Sequence, residues 1–317
     1  MNKVCFGIDV GGMSVKCGLF ETDGTLLEKW TIPTNTEEKG THILPDIAAT
    51  VLAKMTEKQL TSEQVLGIGI GIPGPAKKNG EVEVAVNLHW GKTQVAEELT
   101  ALSSLRTVVA NDASLAALGE AWQGAAKGKK EVFLITLGTG IGGGVIINGD
   151  VVSGAHGAGG EIGHNFVNPQ EQEVCNCGKR GCLEQVASAT GIMRMARGKL
   201  QASELPSLLR ETQVTAKDVF DAFKNKDILA SEVVDEVSNY LGIALATVAG
   251  VVDPETILIG GGVSKAGEEF IDIVRSYYRK YAFTPCKNTE IKVTELGNDA
   301  GIYGGAKLIL NDLLITE

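Results

Sequence analysis

The sequence has few prolines, fewer positive than negative charges and no long run of apolar residues. Eight prolines among 317 residues, without a Gly-X-Y repeat, exclude a collagen and a low-complexity linker. The 29 Lys and Arg residues are outnumbered by 39 Asp and Glu residues, which gives a net charge of −10. Proteins that bind nucleic acids generally need a basic surface, so no DNA or RNA partner is expected.

The sequence also favours neither a membrane protein nor a secreted one. The apolar stretch at residues 240–252 is 13 residues long, whereas a bilayer requires about 20. Near the N-terminus, Asp9 and the two glycines that follow it interrupt any apolar segment of the kind found in signal peptides. We therefore expect a cytoplasmic protein without a membrane partner, whose six cysteines are reduced or bound to metal.

Glycine is abundant, and its positions follow a pattern. The 40 glycines make up roughly 13% of the chain, against about 7% in an average protein. Strands alternate with helices, which predicts an α/β protein, and the length predicts two domains. A series of strand, glycine turn, strand, turn and strand occurs twice, beginning near residues 3 and 131. This repetition predicts two halves of similar architecture.

Three glycine turns follow predicted strands at residues 11–12, 138–144 and 260–262. Backbone N–H groups in such turns can face a phosphate, and a nearby carboxylate such as Asp9 can hold Mg²⁺. The alternative is a set of hairpins whose glycines only supply positive φ. Neither G-x-G-x-x-G match, at 69–74 or 138–143, opens a helix with an acidic residue about 20 positions on, and no G-x-x-x-x-G-K-[ST] is present. The turns instead predict a nucleotide clamped between duplicated domains.

One histidine and three cysteines have the spacing of a metal site. His164, Cys175, Cys177 and Cys182 form H-x10-C-x-C-x4-C and supply four ligands for a tetrahedral Zn²⁺. Four filled positions make a structural site rather than a catalytic one. The alternative is a group of free or redox cysteines, but the C-x-C spacing differs from the redox C-x-x-C.

Several polar residues are candidates for binding or catalysis. Asp112 follows Asn111 at a strand end and precedes a helix, so it is either a functional carboxylate or a helix N-cap. Glu161 and Glu184 flank the cysteine cluster and either face a polyol or remain solvated surface charges. Asn87 is either an amide that binds a hydroxyl or a turn residue.

Together these motifs resemble the ROK family (repressors, open reading frames and sugar kinases), especially its bacterial glucokinases, over essentially the whole chain. The resemblance lies in DVGG at 9–12 with Lys16, LGTGIGGG at 137–144, GAGGEIGH at 157–164 and CNCGKRGCLE at 175–184. It implies a two-domain actin/hexokinase-like (ribonuclease H-like) α/β ATPase fold with an interdomain cleft. The implied domains are 1–115 plus about 300–317, and a larger domain, 116–299, with the zinc-binding loop.

The resemblance also implies roles for individual residues. ATP would be bound by Asp9, Gly11, Gly12, Ser14, Lys16, Gly138, Thr139, Gly140 and Gly142, with the adenosine near Gly261 and Gly262. A hexose would be bound by Asn87, Asn111, Asp112, Glu161, His164 and Glu184. Asp112 would be the catalytic base, and Asp9 would hold Mg²⁺. His164 would present one ring nitrogen to zinc and the other to the sugar.

The implied activity is ATP-dependent phosphorylation of a hexose, with glucose at its 6-hydroxyl as the first candidate. The alternatives are a kinase for N-acetylmannosamine, N-acetylglucosamine, fructose or allose, and a sugar-sensing repressor. Repressors of the family carry an N-terminal helix-turn-helix domain, for which a first strand starting by Val4 leaves no room. A homodimer is the family expectation.

One position departs from the family pattern. The first phosphate turn of the family usually reads Asp-x-Gly-Gly-Thr, whereas this chain has Met13 at the fifth position and Ser14 after it. Backbone N–H groups or Ser14 would therefore make the phosphate contact at this turn.

Overall fold

A computed structural model describes residues 3–211 and 213–315 as an α/β protein, which confirms the predicted class. The strands are β1 Val4–Val10, β2 Ser14–Glu21, β3 Leu26–Pro33, β4 Val65–Ile72, β5 Glu81–Val82, β6 Thr93–Gln94, β7 Thr107–Asn111, β8 Val132–Leu137, β9 Ile141–Ile147, β10 Asp150–Val151, β11 Thr256–Gly260 and β12 Glu290–Val293. The helices are α1 Glu37–Gly40, α2 Ile43–Glu57, α3 Val95–Ser103, α4 Asp112–Gln123, α5 Glu184–Ala187, α6 Ala189–Ala202, α7 Ala216–Lys224, α8 Ile228–Val252, α9 Glu268–Tyr281 and α10 Ala300–Ile315.

Two five-stranded sheets have the same strand order. The first is β3-β2-β1-β4-β7 and the second is β10-β9-β8-β11-β12. In the first sheet β1 pairs antiparallel with β2 and parallel with β4, and β4 pairs parallel with β7. The repeated order confirms the duplication predicted from the sequence. It also gives the β1–β2 turn and the β8–β9 turn corresponding positions in the two sheets.

Residue contacts group the chain into two compact units. The first comprises the described parts of Met1–Leu134, Gly144–Gly160 and Thr294–Glu317, and the second comprises Ile135–Gly143 and Glu161–Val293. The first unit is larger than the N-terminal domain expected from the resemblance, because α4 packs along α10 and stays with it. The boundaries of independently folding domains stay a prediction.

Both faces of strand β1 are buried, as is expected for a central strand flanked by helices. Phe6, Ile8 and Val10 belong to the core that includes α2, whereas Cys5 on the opposite face packs in the core formed with α10. Gly7 permits the close approach of α10, since a Cβ placed there would lie 1.9 Å from the carbonyl oxygen of Ile302. The final helix therefore packs directly on the strand that leads into the first glycine turn.

The second unit is organised around α8, which packs against α6, α7 and α9. Asp227 caps the start of α8 and accepts hydrogen bonds from the N–H groups of Ala230 and Leu208. The apolar stretch at 240–252 is the C-terminal half of this helix, and the first half includes Glu232, Asp235 and Glu236. No helix among the described residues is both long and apolar enough to cross a membrane.

Glu120 is a fully buried carboxylate near the end of α4, with 0% of its surface exposed. Its oxygens accept hydrogen bonds from the N–H groups of Ala125, Glu295 and Leu296 at 2.8–3.1 Å. These contacts join the helix that begins at Asp112 to the chain segment that leads into α10.

We expect Glu120→Gln to destabilise the protein by about 1.5–3 kcal/mol, the contribution of hydrogen bonds to a charged group. An amide retains the shape but removes the charge and turns an NH₂ group toward backbone donors. The midpoint of urea denaturation measures the effect. Glu97→Gln on the exposed side of α3 is the matched control and should leave the midpoint unchanged. Equal midpoints for both variants would contradict a role for Glu120 in stability.

Candidate active site

The first glycine turn joins β1 to β2 and is closed by the N–H of Gly11, which donates to the carbonyl oxygen of Ser14 at 3.0 Å. Met13 lies at its tip with 89% of its side chain exposed, so the side chain has no packing role. Asn87 lies beside the turn in a short 3-10 helix, because a Cβ added at Gly12 would be 3.6 Å from the Asn87 Cβ. The structure therefore brings Asn87, which is predicted to bind the sugar, next to the first turn that is predicted to bind phosphate.

Asp9 and Lys16, two residues predicted to act on ATP and Mg²⁺, form a cross-strand ion pair. They are partners in the β1–β2 register, and the Lys16 Nζ lies 2.9 Å from the Asp9 Oδ2. Opposite charges hold both side chains at the base of the glycine turn. Their roles toward nucleotide and metal stay predictions.

The helix cap at the end of β7 is Asn111 rather than Asp112. The Asn111 Oδ1 accepts a hydrogen bond from the N–H of Ser114 at 3.1 Å, and its Nδ2 donates to the carbonyl oxygen of Gly74. Asp112 is the first residue of α4, and its Oδ1 accepts from the N–H of Ala113 at 2.8 Å. The interpretation of Asp112 as the N-cap is therefore wrong, because Asn111 caps the helix.

The second glycine turn joins β8 to β9 and is held from outside by the segment that begins α6. The N–H of Ala189 donates to the carbonyl oxygen of Gly138 at 2.8 Å. The hydroxyl of Thr190 donates to the carbonyl oxygen of Thr139 at 3.1 Å. Gly261 follows β11 with φ of +85° and lies against the backbone of Leu137, the last residue of β8. The second and third predicted nucleotide turns are therefore neighbours.

Glu184 connects the second glycine turn to the cysteine loop. Its Oε2 accepts a hydrogen bond from the N–H of Ile141 at 2.9 Å, and a Cβ placed at Gly140 would lie 2.4 Å from the same oxygen. The loop before the cysteines is equally close, because a Cβ placed at Gly163 would lie 2.4 Å from the carbonyl oxygen of Ile141. Glu184, which is predicted to bind the sugar, is thus in direct contact with the second turn, which is predicted to bind phosphate.

The four predicted metal ligands form one cluster. Their ligand atoms all lie within 4.8 Å of one another, with 3.8 Å between the Cys175 Sγ and the His164 Nδ1 and 3.6 Å between the Cys177 Sγ and the Cys182 Sγ. Ligands at tetrahedral zinc bond lengths are about 3.5–3.8 Å apart, so the cluster fits this ion. Because His164 presents Nδ1 to the sulfurs, its Nε2 is left for a second contact.

Hydrogen bonds and ion pairs hold the cysteine loop in place. Arg194 on α6 forms a bidentate ion pair with Glu171, and it also donates to the carbonyl oxygen of Gln185. The side chain of Gln185 in turn accepts from the N–H of Cys182 at 3.1 Å. The Lys179 Nζ donates to the carbonyl oxygen of His164 at 2.9 Å.

Burial raises the pKa of Glu161 above its ordinary value, His164 opposes this shift and the like charge of Glu184 adds to it. Glu184 therefore acts on Glu161 in the structure, and the two carboxylates that flank the cysteine loop in the sequence belong to one neighbourhood. A partly buried carboxyl group close to a second one is typical of functional sites.

Sequence reasoning missed the residues that hold the turns and the cysteine loop from outside, namely Thr34 and Thr190 at the turns and Arg194 at the loop. Thr34 follows β3, and its hydroxyl donates to the carbonyl oxygen of Gly11 at 2.6 Å. None of the three belongs to a glycine or cysteine motif, so no sequence signal pointed to them.

Comparisons with known proteins agree with this architecture. The model of the ROK family matches residues 5–312. A glucokinase of Halalkalibacterium halodurans is 42% identical over 309 residues, which cover 96% of this chain and 94% of that protein.

Two solved structures are similar over nearly the whole chain. The ROK hexokinase of Thermus thermophilus has a TM-score of 0.84 and 29% identity, covering 99% of this chain and 100% of that one. A ROK family glucokinase of Streptomyces griseus, solved with glucose and AMPPNP, has a TM-score of 0.74 and 31% identity, covering 96% and 98%. The hexokinase-like α/β fold expected from the motifs is thereby confirmed, and the chain belongs to the ROK family.

Proposed function

We propose that this protein transfers the γ-phosphoryl group of ATP to the 6-hydroxyl of D-glucose. The observation that carries the proposal is the hydrogen bond from the Ile141 N–H to Glu184, because it joins a segment suited to phosphate to one suited to sugar. The 42% identity to a glucokinase over 96% of the chain supports glucose as the acceptor.

Phosphoryl transfer depends on positioning and on stabilisation of charge. Asp112, at the carboxyl end of β7, accepts the proton of the attacking hydroxyl, while Asn111 holds the start of α4 in place. The N–H groups of the glycine turns are suited to bind phosphate oxygens. Mg²⁺, when bound with ATP, would neutralise charge on the β- and γ-phosphates, and Asp9 would supply a carboxylate to hold it.

The cysteine cluster holds a structural zinc ion in this proposal. Its four ligands fill the tetrahedral positions, and the metal would fix the imidazole of His164 so that Nε2 faces a sugar hydroxyl. The loop is also tied to α6 by Arg194, so zinc and protein contacts together orient Glu161 and Glu184. The homodimer expected from the resemblance and the cytoplasmic location expected from the sequence remain predictions.

A coupled assay of ADP release with a panel of sugars tests the proposed function. The panel contains glucose, fructose, allose, N-acetylglucosamine and N-acetylmannosamine, each with ATP and Mg²⁺. We expect the highest kcat/KM for glucose. A higher value for another sugar would identify that sugar as the acceptor, and no release of ADP with any of them would overturn the kinase proposal.

We expect Asp112→Asn to lower kcat by at least about 10²-fold with little change in glucose affinity, because an amide cannot accept the proton. Steady-state kinetics and glucose binding by calorimetry measure the two effects. Asp46→Asn in the first turn of α2 is a matched control at another helix start and should retain full activity. Near-normal turnover of a folded Asp112→Asn protein would remove Asp112 from the role of base.

We expect the freshly purified, reduced protein to contain about one zinc ion per chain, as four ligands around one site require. Cys177→Ser should lose most of this zinc and increase proteolysis between residues 161 and 184. Cys286→Ser, a change outside the cluster, should retain the metal. Elemental analysis that finds no zinc in the wild type would contradict a structural zinc site.

A further inference from the structure

Thr34 makes two hydrogen bonds to the first glycine turn. Its hydroxyl donates to the carbonyl oxygen of Gly11 at 2.6 Å, and its N–H donates to the carbonyl oxygen of Met13 at 3.1 Å. The β2–β3 pairing ends at Ser14 and Pro33, so Thr34 lies one residue beyond the paired strands. Its side chain is half-buried.

These two bonds set the direction of the peptide groups in the turn. In a trans peptide the C=O and the following N–H point in opposite directions. With the carbonyl oxygens of Gly11 and Met13 directed toward Thr34, the N–H groups of Gly12 and Ser14 point away from it. The N–H of Gly11 is already used, since it donates to the carbonyl oxygen of Ser14.

Nothing in the turn itself replaces the hydroxyl of Thr34. Gly11 and Gly12 have no side chains, and the Met13 side chain is 89% exposed. A glycine peptide rotates more easily than any other, so a turn of this composition requires an outside contact to keep one orientation.

The second glycine turn is likewise held from outside, by hydrogen bonds to its carbonyl oxygens. There the hydroxyl of Thr190 donates to the carbonyl oxygen of Thr139 at 3.1 Å. The carbonyl oxygen of Gly138, which corresponds to that of Gly11, accepts from the N–H of Ala189 instead. A threonine hydroxyl thus contacts each turn, but at different peptide groups.

We propose that Thr34 is a positioning residue for ATP: its hydroxyl holds the Gly11–Gly12 peptide so that the Gly12 N–H faces the phosphates. The proposal rests on the function proposed above, in which this turn binds ATP. Thr34 does not touch the nucleotide and acts only through the turn.

Three variants test the proposal. Thr34→Val removes the hydroxyl but retains the shape and the N–H bond to Met13, Thr34→Ser retains the hydroxyl, and Thr31→Val makes the same change at an exposed position of β3. ATP binding is measured by calorimetry without sugar, and KM for ATP and for glucose, kcat and thermal stability are measured for each variant.

We expect Thr34→Val to weaken ATP binding and to raise its KM about three- to tenfold, the effect of one lost hydrogen bond. The glucose KM should stay within about twofold, and Thr34→Ser and Thr31→Val should resemble the wild type. Unchanged ATP binding in Thr34→Val would overturn the proposal. So would an equal rise in both KM values, or failure of Thr34→Val to fold, because either result would make the role of the hydroxyl structural.

The calorimetric measurement separates this proposal from the kinase function. A wild type that binds ATP but phosphorylates no sugar would overturn the kinase function alone, and Thr34→Val would still report on the turn. A wild type that binds no ATP would overturn both.

Discussion

A backbone N–H can bind a phosphate only if the peptide group is held with that N–H facing outward, and this constraint governs both glycine turns. Glycine permits the turn but cannot hold it, because it has no side chain to fix a peptide orientation. The carbonyl side of each turn is therefore bound by other segments, through Thr34 in the first unit and through Ala189 and Thr190 in the second. The amides available for a ligand are a consequence of these contacts.

The cysteine loop is connected to the second glycine turn by hydrogen bonds. The Ile141 N–H, at the edge of the second turn, donates to Glu184, which follows the last predicted metal ligand, Cys182, by two residues. The loop is tied to α6 by Arg194, and α6 begins with the residues that bind the turn. The residues predicted to bind zinc, sugar and phosphate in the second unit thus belong to segments that are joined by direct hydrogen bonds.

Helix α10 has a comparable role in the first unit. It packs on β1 at Gly7 and along α4, so it touches the strand that precedes the first turn and the helix that starts with Asp112. Glu120 strengthens this arrangement by binding the N–H groups of the segment before α10. The position of Asp112 consequently depends on residues near the end of the chain.

Local chemistry made part of this protein predictable from its sequence. The glycine turns, the duplicated strand pattern and the spacing of His164 and the three cysteines are short-range patterns, and the sheets and the ligand cluster confirm them. The choice of Asn111 over Asp112 as the helix cap depends on the dihedral angles at one residue, which a pattern does not specify. The contacts of Thr34 with Gly11, of Thr190 with Thr139 and of Glu184 with Ile141 join residues 23 to 51 positions apart. Sequence alone determined which groups are candidates to bind phosphate, metal and sugar. Tertiary packing decided which way their peptides and side chains point, because orientation comes from partners that are distant along the chain.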